Sequence, residues 1–194
     1  MQYRLDVGKP SSPEWLQAVL EDFDEFLKDH ADCERKASSM AMSFVAKYPD
    51  RKEILPELID TAVEELEHFR MVYTLLAERR VALPKQMKQD AYVKALINRA
   101  HSGRNERFMD RLLIASVVET RGAERFRLIA ENIMSPSLQK FYKELWTSEA
   151  KHGEVFVRMA LQYFDENMVY SRLKWWMEQE SAIVEKLPIQ PALH

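Results

Sequence analysis

Two short runs in this chain, Glu65-Leu66-Glu67-His68 and Glu149-Ala150-Lys151-His152, share the spacing Glu-x-x-His. On a helix that spacing places a carboxylate and an imidazole on one face, one turn apart, where both can hold the same cation. A single such run in a Glu-rich chain says little. Here each run follows an isolated glutamate about 30 residues upstream, Glu34 and Glu119 respectively. Four carboxylates and two imidazoles without a thiolate suit iron or manganese better than structural zinc. A ferrous pair with open positions binds and reduces O2 and can attack an unactivated C–H bond, while the protein supplies ligand geometry and a dry cavity.

The elements that must position these residues are helices. Amphipathic helices bury positions spaced alternately three and four residues apart. In a helix A over about 22–48 this selects Phe23, Leu27, His30, Glu34, Ala37, Ala41, Phe44 and Tyr48. Helix B, about 52–80, gives Leu58, Ala62, Glu65, His68 or Phe69, Val72 and Leu75. Helix C, about 105–133, gives Leu112, Ala115, Glu119, Gly122, Phe126, Ile129 and Ile133. Helix D, about 136–165, gives Leu138, Tyr142, Leu145, Glu149, His152, Phe156, Met159 and Tyr163. In each stripe a glutamate stands where an apolar residue is expected. Burying an uncompensated carboxylate costs several kcal/mol or more, and two divalent cations would carry the charge that four of them need. Read as ordinary surface or ion-pair groups, the six residues would have no reason to fall on core positions.

The register agrees. Glu34 lies 15 residues before Pro49 and Glu65 lies 15 after Asp50; Glu119 and Glu149 lie 15 residues either side of Met134. In two antiparallel hairpins each pair therefore meets at equal depth, roughly 22 Å from the turn at 1.5 Å per residue. The two halves read as a diverged repeat of one metal-binding hairpin.

A helix over about 13–20 starts at Ser12-Pro13 and a last amphipathic helix covers about 167–187. Pro49, Pro84 and Pro136 punctuate the long helices, and a shorter helix from Asp90 to His101 lies in the connection between B and C. The expected fold is all-α: a ferritin-like four-helix bundle, residues 1–194 forming a single domain, with a long B–C crossover and extra N- and C-terminal helices.

Only 4 glycines occur in 194 residues, which argues against a sandwich of short strands. Cys33 is the sole cysteine, so a cysteine-held iron–sulfur cluster is excluded on this chain. No run of about 18 apolar residues and no apolar N-terminal segment is present, so neither a membrane span nor a secretory signal is expected and the expected compartment is the cytoplasm. The net charge of −3 hides an asymmetry: residues 79–111 hold 9 basic against 3 acidic side chains, and residues 1–78 hold 9 against 17. Arg79, Arg80, Lys85, Lys88, Lys94, Arg99, Arg104, Arg107 and Arg111 make up the basic segment, which could meet phosphates or could be a solvated face.

Other residues carry two readings each. His30, one turn before Glu34, is a packed residue or a partner to a ligand before it is itself a ligand. Glu64 and Glu67 should face solvent, and Cys33 should be a small core residue. Tyr142 packs in the core, with a redox role as the second reading; Trp146, Trp175 and Trp176 are packing aromatics rather than platforms for bases. Ala37, Ala115 and Gly122 leave room for oxygen or substrate, or allow close helix packing.

The stretches 29–37, 64–69, 118–126 and 141–152 together resemble the bacterial tRNA 2-methylthio-N6-isopentenyladenosine hydroxylases. The run Glu119-Thr120-Arg121-Gly122-Ala123-Glu124-Arg125-Phe126 beside the second Glu-x-x-His makes the resemblance more specific than metal spacing alone. It implies an O2-dependent di-iron monooxygenase that hydroxylates the isopentenyl group of a hypermodified adenosine in the tRNA anticodon loop. It also implies six ligands, at Glu34, Glu65, His68, Glu119, Glu149 and His152, and an external electron donor of ferredoxin or reductase type. Anticodon-loop nucleotides are unpaired and can be splayed into a pocket. Two other functions remain to be weighed: a ferritin-like iron-storage or peroxide-detoxifying protein, and a non-enzymatic binding bundle.

Overall fold

The computed structural model describes residues 5–86 and 89–194, so Lys88 of the basic segment lies outside the described residues. Among these the chain is helical throughout, with no strand. The elements are α1 (Pro13–Glu21), α2 (Phe23–Lys47), a 3₁₀ turn (Lys52–Ile54), α3 (Leu55–Glu78), α4 (Ala91–Ile97), α5 (Arg104–Asn132), α6 (Pro136–Leu161) and α7 (Glu166–Val184). No described helix is long and apolar enough to cross a membrane.

Short polar side chains and prolines set the starts. The Ser12 hydroxyl accepts from Trp15 N, Asp22 from Glu25 N, Asp90 from Val93 N, and Asp165 from Asn167 N and Met168 N. Proline lies in the first turn of α3 and of α6, where its missing N–H has no helical partner to lose.

Several ends differ from the sequence expectation: α6 stops at Leu161 rather than near residue 165, α7 at Val184 rather than near 187, and α3 and α4 also end early. Helix α3 stops at Glu78 rather than near residue 80, because Arg80 takes a left-handed conformation, φ 60°. Arg80 N then bonds Ala77 O and Val81 N bonds Leu76 O, which closes the helix in a Schellman arrangement without a glycine. Helix α4 spans Ala91–Ile97 rather than Asp90–His101, because the chain turns after Leu96 and His101 N donates to the Asp110 carboxylate at 2.8 Å.

The helices fall into two compact units. Of the described residues, one contains 17–86 and 190–193 and is built on the α2–α3 hairpin. Its buried apolar residues include Phe26, Leu27, Ala41, Phe44, Leu58, Val72 and Leu76. The other contains residues up to 16, 89–189 and 194; α5 pairs with α6 along its length and also receives α7 and α4. That position buries α5 nearly all round from Phe108 to Phe126.

Candidate metal centre

In the α2–α3 hairpin, Glu34 and Glu65 meet at the same level, as the equal spacing from the turn requires. Both are buried, at 3% and 1% exposure, beside His68. His68 Nδ1 lies 3.4 Å from Glu65 Oε2 and 3.7 Å from Glu34 Oε2. Glu34, Glu65 and His68 each offer a ligand atom within 4.8 Å of the others, a spread that one cation can span. His30, fully buried on α2, holds Glu34 Oε1 at 2.6 Å. An imidazole bound to one carboxylate oxygen fixes that carboxylate's orientation, so His30 is placed to orient the candidate ligand Glu34. Glu64 and Glu67 are exposed and Cys33 is buried, also as expected.

The α5–α6 hairpin repeats the pattern. Glu119, Glu149 and His152 are buried and likewise offer ligand atoms within 4.8 Å of one another. His152 Nδ1 stands 3.2 Å from Glu149 Oε2. Close helix approach beside this triad depends on Gly153, where a Cβ would come to 3.0 Å from Thr120 Oγ1 and 3.4 Å from Ser116 O. Gly122, one turn beyond Glu119, differs: it is buried, yet a Cβ there would meet nothing within 4 Å. Of its two readings, the one that leaves room beside the ligands is favoured. Tyr142 is fully buried against Phe126 and Phe141, which is the packing reading.

The chemistry of the donor set fits a di-iron or di-manganese pair: each hairpin brings two carboxylates and one imidazole, all in a buried setting and with no thiolate.

A second set of buried charges escaped the sequence reading. The fully buried Arg121 on α5 donates to Glu180 on α7 from Nε at 2.7 Å and Nη2 at 3.0 Å. It also reaches Glu124 Oε2 at 3.1 Å and Lys9 O at 2.7 Å. Ser11 donates to Glu124 and accepts from Arg125, whose guanidinium lies 4.5 Å over the Trp15 ring. Burial opposes the Arg121 charge, but the bonds and field of Glu180 hold it more firmly protonated than usual. Arg125 goes the other way: burial and the neighbouring Arg121 pull its pKa down to about 10. Burial, then the Glu180 carboxylate, raises the Tyr92 phenol well above its usual range, and its hydroxyl donates to Glu180 at 3.2 Å. Asp110, also fully buried, accepts from Arg172, Trp176 Nε1 and His101 N. Burial pushes Asp110 up, yet these bonds outweigh it and leave its pKa below the usual carboxylate value. The one available signal was the dense run from Glu119 to Phe126, whose Arg121, Glu124 and Arg125 are all part of this second set.

Residues 6–194 match the family profile described as tRNA-(MS2IO6A)-hydroxylase (MiaE). The chain belongs to that family. A MiaE relative from Pseudomonas putida strain KT2440, named tRNA 2-(methylsulfanyl)-N(6)-isopentenyladenosine(37) hydroxylase, is 31% identical over 160 residues, 82% of this chain and 77% of that protein. A protein of the same name from Salmonella typhimurium LT2 is 25% identical over 136 residues, 70% of this chain and 49% of that protein. Among solved structures, Protein 43 with aldehyde deformylating oxygenase activity from Synechococcus superposes with a TM-score of 0.91 at 29% identity. That match covers 97% of this chain and 94% of the other. The MiaE chain therefore has the all-α, ferritin-like fold that the helix pattern predicted.

Proposed function

We propose that this MiaE chain is a tRNA-modifying monooxygenase that uses O2 to hydroxylate the isopentenyl group of 2-methylthio-N6-isopentenyladenosine in the anticodon loop. The observation that carries the reading is the pair of buried Glu, Glu, His triads in a chain of this family. We assign Glu34, Glu65, His68, Glu119, Glu149 and His152 as the ligands of two iron ions, acting together within one domain. When bound, a ferrous pair supplies O2 binding and the oxidising power to break an unactivated C–H bond. The chain's own residues supply the rest. Six buried side chains define the donor positions, His30 holds the Glu34 carboxylate in place, and burial keeps bulk water from the centre.

The electrons come from a separate carrier of ferredoxin or reductase type, and the chain works in the cytoplasm where tRNA is found. Lys94, Arg99, Arg104, Arg107 and Arg111 lie at or near the surface around α4 and the start of α5 and would meet the phosphates of the RNA. Arg79 in the other unit already pairs with Asp24 and covers the Phe23 ring. Nothing found favours iron storage, peroxide removal or a metal-free binding bundle.

The test is nucleoside analysis of tRNA incubated with the protein, ferrous iron, O2 and a chemical reductant. The substrate nucleoside should gain one oxygen atom. A hollow oligomer that loads many irons per chain and leaves the nucleoside unchanged would overturn the hydroxylase reading. Charge reversal at Arg99, Arg104 and Arg107 should weaken tRNA binding and flatten its salt dependence without altering iron content. Unchanged binding would move the RNA surface elsewhere.

A further inference from the structure

Four large apolar side chains of α3 face water: Ile59, Val63, Leu66 and Tyr73, at 45%, 56%, 55% and 50% exposure. With Arg70 between the last two, their spacing runs four, three, four, three, the period that aligns side chains on one helical face. The row is therefore aligned on one face over roughly 21 Å at 1.5 Å per residue, with Arg70 as its one charged member. Scattered exposed apolar residues need no explanation, but an aligned row marks a contact surface. The inner face of the same helix carries the buried Glu65 and His68. Only the thickness of one helix, roughly 10 Å, separates the stripe from two of the assigned ligands. Beside the stripe run the exposed acids Asp60, Glu64, Glu67 and Glu78. The one base on α3, Arg70, pairs with Glu67.

We propose that the outer face of α3 is the docking surface for the external electron carrier, a redox protein whose exposed one-electron group is ringed by Lys and Arg around an apolar contact. The proposal rests on the hydroxylase reading, because that reaction consumes two electrons per turnover that an external donor must restore. Each turnover breaks one C–H bond, forms one C–O bond and releases the second oxygen atom as water: R–H + O2 + 2 e⁻ + 2 H⁺ gives R–OH + H2O. The carrier is oxidised in two one-electron encounters, and solvent supplies the protons.

Size and charge select this occupant. A strip about 21 Å by 10 Å offers a few hundred Å², far below the roughly 800 Å² per partner of a stable interface but within the range of brief redox encounters. A polyanion such as tRNA is repelled by the net negative charge of the face, four acids against the single Arg70. A second copy docking through the same face would set its acids against these acids, since a two-fold interface uses one patch twice. A carrier with a basic rim meets apolar with apolar and acid with base.

The test uses the full chain with Val63→Lys and Leu66→Lys together, both sites being exposed and neither an assigned ligand. Two probes are compared, a flavoprotein reductase with a basic docking face and an acidic plant-type ferredoxin. Binding of each to the metal-free and iron-loaded protein is measured by calorimetry at low and high salt. Hydroxylation is then measured with NADPH and the reductase, and separately with dithionite. The wild type should bind the reductase more tightly than the ferredoxin, and more weakly as salt rises. The double variant should lose at least 10-fold in reductase binding and in reductase-driven rate, with iron content and dithionite-driven rate unchanged. Equal binding by variant and wild type, tighter binding of the acidic ferredoxin, no reductase-driven turnover in a wild type that dithionite drives, or a wild-type dimer that the substitutions dissolve would each overturn it. Failure of the hydroxylase reading looks different: dithionite would then yield no hydroxylated nucleoside in the wild type, whatever the binding result.

Discussion

Helix α5 buries carboxylates on two faces, and the two are neutralised by different means. Toward α7 and the N-terminal segment, Glu124 and Glu180 are met by Arg121, and Asp110 by Arg172. Toward α6, Glu119 lies with Glu149 and His152, and the α2–α3 hairpin repeats that composition with Glu34, Glu65 and His68. The buried acids of the described chain are Asp32, Glu34, Glu65, Asp110, Glu119, Glu124, Glu149 and Glu180, while the buried guanidinium groups are Arg121 and Arg125 alone. Both arginines sit in the first cluster. The comparison separates charge that the chain compensates itself, which fixes helices to one another, from charge grouped with imidazoles, which suits an added cation.

The largest expected effect breaks the second group. Glu119→Ala or His152→Ala should lose iron and reduce hydroxylation by more than about 100-fold, since loss even of a ligand's hydrogen-bonding partner costs 10- to 100-fold. Iron per chain and nucleoside analysis check this, and a full iron complement would remove that residue from the ligand set. The metal-free protein gives a sharper contrast. Glu119→Gln relieves the repulsion between two buried carboxylates grouped with one imidazole, so it should raise the unfolding free energy of the apo chain by about 1–2 kcal/mol. Glu180→Gln should lower it. Equal signs in urea titrations would erase the distinction between the two clusters.

Next in size is the arginine cluster. Glu180→Ala leaves the Arg121 charge in a fully buried site with its bidentate partner gone, at a cost of about 3–5 kcal/mol. Glu124, already bonded to Arg121, places the effect toward the lower end. Replacing both partners, Arg121→Met with Glu180→Leu, should cost less than Glu180→Ala because no guanidinium is left unpaired, but should still destabilise because Glu124, Lys9 O and the Tyr92 hydroxyl each lose a partner. Neither change should alter iron content. Iron loss in the double variant would show that the pair also positions Glu119, two residues away on α5.

The same comparison explains what the sequence made legible. Glu34, Glu65, Glu119 and Glu149 stood out because each occupies a position where helical spacing demands an apolar residue, and the anomaly repeats at matched depth in two hairpins. Arg121 and Glu180 gave no such signal. They are 59 residues apart, and in a sequence a buried charge looks the same as a solvated one. Stripe analysis also assumes one buried face per helix, whereas α5 is buried nearly all round from Phe108 to Phe126, so the face toward α7 went unread. The end of α3 was misplaced by two residues for a related reason: Arg80 adopts the left-handed conformation with no glycine to announce it. On α3 Glu64 and Glu67 are exposed as their spacing suggested, but the apolar row itself follows the core period and needs exposure to be noticed.

The last contrast concerns Asp110, where compensation comes partly from the partly exposed Arg172 side chain. Arg172 donates from Nε at 2.7 Å and Nη2 at 3.0 Å while stacking 3.9 Å over Trp175, and Trp176 Nε1, His101 N and the His101 ring, with Nδ1 2.9 Å from Asp110 Oδ2, complete the shell. Asp110→Asn keeps an acceptor but removes the charge, and should cost about 1–3 kcal/mol at neutral pH. Because the folded-state pKa of Asp110 lies below its ordinary value, its contribution is complete above about pH 4 and is lost as pH falls through the depressed folded value. The stability gap between wild type and Asp110→Asn should therefore narrow as pH falls below about pH 4. A gap that stays constant into acid would mean that shape and hydrogen bonding hold α5 to α7 at this point, with the carboxylate charge adding nothing.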